Sequence, residues 1–225
     1  MKRLLIISII CFNTFLSFCQ SNPEKSFGSW FTYSGIHKTS EKLSFHMCSQ
    51  LWLYEVSDNF NLIFLSSGLN YHISPKLITN ISYAYLDIDS GFNTNTKHTF
   101  ENRLYEQITY KHKILKLSID HRFRLEQRFL NTPVLNKTCH RLRYRFGTSI
   151  KLNKHLFIRV SNEFFTTLNK ELTTENRFYS ALGFNISKSN NIQVGYTNRK
   201  INGINLNRIE IGYYIKTNYI KKKTS

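Results

Sequence analysis

Several short runs of this chain carry guanidinium and carboxylate groups at a spacing of two. They are Glu101-x-Arg103, Asp120-x-Arg122-x-Arg124-x-Glu126-x-Arg128, Arg141-x-Arg143-x-Arg145, Arg159 with Glu163, and Glu175-x-Arg177. On an extended strand a spacing of two puts every member of a run on one face. Guanidinium and carboxylate pair in a two-pronged fork, so such rows on neighbouring strands can lace together. Arginine outnumbers acid on these rows, and rings of arginine favour anions in pores. Two chemistries therefore stay open. One is a structural ion-pair lattice that fills a narrow barrel, since small barrels are just wide enough for side chains. The other is a cationic lumen that binds or passes small anions or acidic sugars, with Arg103, Arg122, Arg124, Arg128, Arg141, Arg143, Arg145 and Arg177 as contacts. In both, Glu101, Asp120, Glu126, Glu163 and Glu175 are the ion-pair partners. Like charges opposed on paired strands are destabilising, so the surplus arginines need those acids, water or a bound anion.

The elements that must carry these rows are strands. Ile114 to Phe129 alternates strictly: Leu115, Leu117, Ile119, Phe123, Leu125 and Phe129 lie on one face, Lys116, Asp120, Arg122, Arg124, Glu126 and Arg128 on the other. Such alternation marks two different surroundings on the two faces. The run is roughly twice a usual soluble strand and reaches the length that crosses a bilayer at a tilt. Lipid outside and a polar lumen inside is the arrangement of a transmembrane barrel strand. A soluble barrel or sandwich with its charges in water is the competing reading.

The same alternation recurs between Leu43 and Tyr219, giving about ten strands. Phe27 to Ile36 is an eleventh candidate. Outer-membrane barrels normally have an even count, so the expectation is ten strands with Phe27 to Ile36 outside the wall, or twelve with one strand split. Lys111-His112-Lys113 reads as a tight turn and Leu130 to Thr138 as a longer loop. From Asp89 onward long and short connections alternate, as in barrels with short periplasmic turns, which puts the C-terminus in the periplasm. The expected fold is all-β, a single antiparallel up-and-down transmembrane barrel.

Composition agrees. The 225 residues include 31 Lys and Arg against 14 Asp and Glu, a net +17, with 15% aromatics and 3 prolines. The basic charge raises nucleic-acid binding, but the arginines alternate with apolar residues and form no exposed patch. At the N-terminus Lys2 and Arg3 precede the apolar Leu4 to Phe18, and Ser17 and Cys19 stand before a cut ahead of Gln20. These are the three parts of a secretory signal peptide. Residues 1–19 are read as that signal and 20–225 as the barrel domain; a retained anchor and lipidation at Cys19 are the alternatives. Cys48 and Cys139 lack metal-ligand spacing and read as unpaired core cysteines. No metal or cofactor is expected.

An enzyme is the rival class. His72-x-Ser74 has the His and Ser spacing of some outer-membrane lipid hydrolases. Ser74-Pro75 also ends a strand, and no orienting acid or Asn accompanies the pair, so the expectation is no catalysis. A soluble lipid or polyanion carrier is disfavoured by the apolar outer faces.

Together with Gly28-Ser29-Trp30, the motifs Glu101-x-Arg103, Arg122-x-Arg124-x-Glu126-x-Arg128, Arg141-x-Arg143-Tyr144-Arg145, Asn162-Glu163 and Asn176-Arg177-x-Tyr179 resemble, in order, the family called domain of unknown function 2490. The resemblance covers nearly the whole mature chain. It implies a small secreted β-barrel of the bacterial outer membrane, in contact with outer-membrane lipid, and supplies no reaction and no ligand.

Overall fold

The computed structural model describes residues 27–91, 97–115, 117–168, 174–201 and 203–220; the expected signal peptide lies outside them. The chain forms eleven strands: β1 (Gly28–Lys38), β2 (Leu43–Leu53), β3 (Phe60–His72), β4 (Leu77–Ile88), β5 (Thr99–Ile114), β6 (Leu117–Asn131), β7 (Asn136–Lys151), β8 (Leu156–Thr167), β9 (Thr174–Asn185), β10 (Asn190–Ile201) and β11 (Ile204–Asn218). Each pairs antiparallel with the next, and β1 closes the barrel by pairing parallel with β11, from Gly28 opposite Arg208 to Lys38 opposite Asn218.

This corrects the expected count of ten or twelve strands and the all-antiparallel wall. Phe27 to Ile36 is not outside the wall; its core is β1, which is the closing strand. With an odd number of strands, each antiparallel to the next, the first and last run the same way, so a parallel seam is the only closure. Gly28 and Asn218 consequently lie at opposite ends of the barrel. At the Asn218 end β1 leads to β2, β3 to β4, β5 to β6, β7 to β8 and β9 to β10; the remaining connections leave from the Gly28 end.

Two expected turns also move. Lys111, His112 and Lys113 continue β5, and the chain turns at Leu115, whose φ is +53°. The ladder runs to Ile114 opposite Leu117. Period-two alternation passes through this hairpin unbroken, without Gly, Pro or Asn, so the pattern hides it. Likewise β6 and β7 extend into the expected loop from Leu130 to Thr138, leaving only 132–135 between them. The last hairpin is equally tight, with Gly203 at φ +82°, a conformation that glycine adopts without steric cost.

Alternation sets the faces. Leu65, Leu69, Ile81, Leu104, Ile108, Phe123, Leu142, Phe164, Leu182 and Phe184 all stand exposed on the outer wall. Inside, one cluster is apolar: Trp30, Trp52, Leu62, Phe64, Ala84, Leu86 and Tyr105, from β1 to β5. The indoles of Trp30 and Trp52 stack with centroids 3.9 Å apart. This contact anchors β1 in the wall. Cys48 and Cys139 are both free.

The seam is directly testable. Phe31 and Ile211 are register partners on the outer face of β1 and β11. Cysteines placed at both, in a background with Cys48 and Cys139 changed to serine, should join efficiently under a short bifunctional thiol reagent. A pair at Phe31 and Val194 should not, because β10 is one strand further away. Failure of the first pair to join in folded protein would return the wall to ten strands.

Candidate functional site: the interior charge lattice

The wall behind the apolar cluster, from β5 to β10, carries the charged rows inward. Glu126 is their centre. It is 0% exposed, and its carboxylate accepts from Nε of Arg141 at 2.7 Å and Nη1 of Arg143 at 2.7 Å, with Nη1 of Arg124 at 3.5 Å and Nη1 of Arg103 at 3.6 Å. Glu101, also 0% exposed, takes a two-pronged contact from Arg128 at 2.8 and 2.7 Å and another bond from Nε of Arg103 at 2.7 Å. Glu163 accepts from Arg122 at 2.6 Å and Arg143 at 3.0 Å. Asp120 holds Arg145 at 2.9 Å and Arg159 at 2.6 Å. Glu175 takes Arg177 at 2.7 Å and a two-pronged contact from Arg199 at 2.7 and 3.0 Å.

Every arginine and every acid that the sequence singles out therefore stands in this lattice. Among the described residues, ten arginines share five carboxylates through it. The register explains the sharing. Arg124 is opposite Arg143 and Arg122 is opposite Arg145, so guanidiniums face each other across the β6–β7 ladder and each must reach diagonally for an acid. Gly147 makes one such reach physically open. A Cβ there would meet the guanidinium of Arg159 and Oδ2 of Asp120, so a larger residue would push the flexible end of Arg159 aside.

Aromatic rings carry the rest of the positive charge. Arg177 lies over Trp30, Trp52 and Phe165, at 4.9, 5.2 and 4.8 Å to the centroids. Arg124 covers Tyr105 at 4.1 Å and Arg143 covers Phe165 at 4.4 Å. Such contacts contribute roughly 0.5–2 kcal/mol each, more when water is excluded. They span the interior, because Arg177 is on β9 and the tryptophans are on β1 and β2. The lattice and the apolar cluster are thus two halves of one packed layer.

Several participants escape the sequence reading. Arg199 is assigned no facing there, although Gln193, Thr197 and Arg199 on β10 share the period-two signal. Glu210 bonds Thr197 at 2.8 Å and Thr32 at 3.3 Å, and escapes for the same reason on β11. Trp30 escapes because its segment is expected outside the wall. His72 and Ser74 are not brought together: Nε2 of His72 bonds Oγ of Ser44 at 2.9 Å, and Oγ of Ser74 accepts the turn amides of Lys76 and Leu77 at 3.2 and 3.0 Å. Among the described residues no group of three or more His, Cys, Asp or Glu could hold a metal ion.

The lattice rations its acids, which gives an asymmetric expectation. Glu126→Gln leaves several buried guanidiniums short of their carboxylate and should cost about 3–5 kcal/mol in urea unfolding of the folded protein, the range for breaking a buried pair from one side. Arg124→Gln removes a cation whose acid retains Arg103, Arg141 and Arg143, and should cost far less. Equal losses would show that the acids are not the limiting component.

A family model described as protein of unknown function (DUF2490) matches residues 27–210. No curated protein matches the chain. Among solved structures, the siderophore receptor PirA from Pseudomonas aeruginosa is similar with a TM-score of 0.38 at 11% identity, over 79% of this chain and 35% of that one; the chain spans about a third of that receptor's length. The matched residues run from the edge of β1 into β11 and take in every member of the lattice, and the chain belongs to the DUF2490 family.

Proposed function

We propose that this protein is an outer-membrane barrel whose interior is closed by the charge lattice, and that it works by binding at its ends rather than by conducting through its middle. The observation that carries the first half is the outer wall. Exposed Leu, Ile, Val, Phe and Tyr side chains continue from strand to strand around the barrel, with Ile81 59% and Phe123 58% exposed. That apolar surface is far more than a water-facing monomer carries, and it matches the lipid-facing band of a transmembrane barrel. The second half rests on burial. A lumen open to water would wet the inward charges of β5 and β6, yet Glu101 and Glu126 are 0% and Arg103 is 5% exposed. The ion-pair lattice is therefore favoured over an anion-selective channel through the same arginines.

Reconstituted in planar bilayers under a salt gradient, the protein should give no steady conductance. Stable anion-selective steps that vanish in Arg143→Glu would restore the channel reading.

A carboxylate interrupts the wall near the middle of β5. Glu106 is exposed on the outer face of β5, between Leu104 and Ile108 and opposite Ile81 and Leu125. Charge at mid-membrane on the lipid face is destabilising, by roughly 2–4 kcal/mol for Arg or Lys and less for acids. In lipid vesicles Glu106→Leu should stabilise the folded barrel and Phe123→Arg should lose about 2–4 kcal/mol. The opposite ordering would mean that this face does not meet lipid.

A further inference from the structure

At the Asn218 end of the barrel the inward charges change character. There the C-terminal part of β1, β5 and β11 and the start of β6 and β8 bring Lys38, Lys111, Lys216, Asp120 and Arg159 to one mouth, with Arg145 just inside. Lys111 and Lys216 are exposed. They come from strands on different sides of the barrel. By strand parity Lys38 shares the inward face of Trp30, Lys111 that of Arg103 and Lys216 that of Glu210, so the three stand around one opening.

Their counter-charge is short. Asp120 is committed to Arg145 and Arg159 at 2.9 and 2.6 Å, and Lys38 to Glu41 at 3.0 Å. Lys111 and Lys216 have no carboxylate within ion-pair distance among the described residues. Further in, polar side chains of β9, β10 and β11 form a floor, where Tyr179 donates to Gln193 at 3.2 Å and Tyr214 stands two residues in from Lys216 on the same face. Behind that floor lies the closed lattice.

We propose that this mouth is a blind vestibule that binds a multivalent oxyanion of the phosphate class, held by the ammonium groups of Lys111 and Lys216. Lysine is a strong point-charge ligand for phosphate. Two ammoniums at one opening, neither of them held in an ion pair, repel each other until a dianion sits between them, whereas a halide neutralises only one. The guanidiniums of Arg145 and Arg159, already shared with Asp120, add positive potential without being displaced. The phosphate can belong to a free solute or to a lipid headgroup at the rim. The inference rests on the closed-barrel reading only in that the vestibule is blind.

The test is calorimetric titration of the mature protein, folded in neutral detergent, with inorganic phosphate against chloride at equal ionic strength. A saturable phosphate signal should weaken at least tenfold in Lys111→Gln/Lys216→Gln and stay unchanged in Lys137→Gln, which lies at the opposite end. A second arm replaces phosphate with short-chain phosphatidic acid in the micelles. Binding confined to that arm assigns the site to a lipid headgroup, and binding in the phosphate arm to a solute; in each case it must depend on the two lysines. Silence in both arms, or equal binding by the double variant with its barrel intact, overturns the vestibule. A silent, non-conducting protein would leave the closed barrel standing, and a conducting one that binds phosphate would leave the vestibule standing.

Discussion

The inward carboxylates are the scarce component of this barrel, and the structure is arranged around them. Five acids hold ten arginines, and the most crowded of them, Glu126, is wholly buried. Buried ion pairs are a weak source of net stability, because desolvation offsets much of their attraction. What they impose here is register. Slipping β7 by one residue against β6 would send Arg141, Arg143 and Arg145 to the outer wall and Leu142, Tyr144 and Phe146 into the lattice. That slip would leave unpaired charge on both faces, which makes the observed ladder far better determined than backbone pairing alone would.

The arginines could not be lysines. Arg128 and Arg199 each grip both oxygens of one carboxylate, and Arg143 donates to two different acids. Arg177 covers three rings while bonding Glu175. A planar, delocalised cation with five donors meets all these demands, whereas an ammonium meets them one at a time. Lysines stand instead at the mouth, where water replaces the fixed partners and flexibility costs little. The division of cation types along the barrel axis follows the division between dry and wet.

Period-two alternation makes the lattice readable. It puts Glu101, Asp120, Glu126, Glu163 and Glu175 on the same faces as the arginines from residue order alone, because a side chain's face on a strand depends only on parity. Parity says nothing of where a strand ends when the hairpin itself keeps the alternation, and so the turn at Leu115 is invisible while Pro75 and Asn59 announce theirs. It also says nothing of what lies across the lumen. The stacking of Arg177 on Trp30 joins residues far apart in sequence, and no local pattern encodes it. The strand count departs from expectation for a related reason. An even number of strands is a property of most such barrels, not a physical requirement, and Trp30, buried and stacked on Trp52, gives the eleventh strand an inward contact.

That eleventh strand has a consequence for charge. In a closed barrel with an even count, the first and last strands run in opposite directions, so their C-terminal residues leave at opposite ends. Here β1 and β11 run the same way, and Lys38 and Lys216 are both delivered to the mouth at the Asn218 end. Strand β5, which also runs in this direction, adds Lys111 beside them. Acids are fewer there: Glu41 holds Lys38 and Asp120 is shared by Arg145 and Arg159, while Glu210 stays deeper on β11, bonded to Thr32 and Thr197, and Glu101 lies at the other end of β5. The parallel seam thus brings cations from β1 and β11 to one end of the barrel, Lys38 paired there with Glu41 and Lys216 without an ion-pair partner among the described residues. Part of the surplus positive charge legible in the sequence stands in the buried layer, where ten arginines share five carboxylates, and part stands at the mouth, where an anion can reach it.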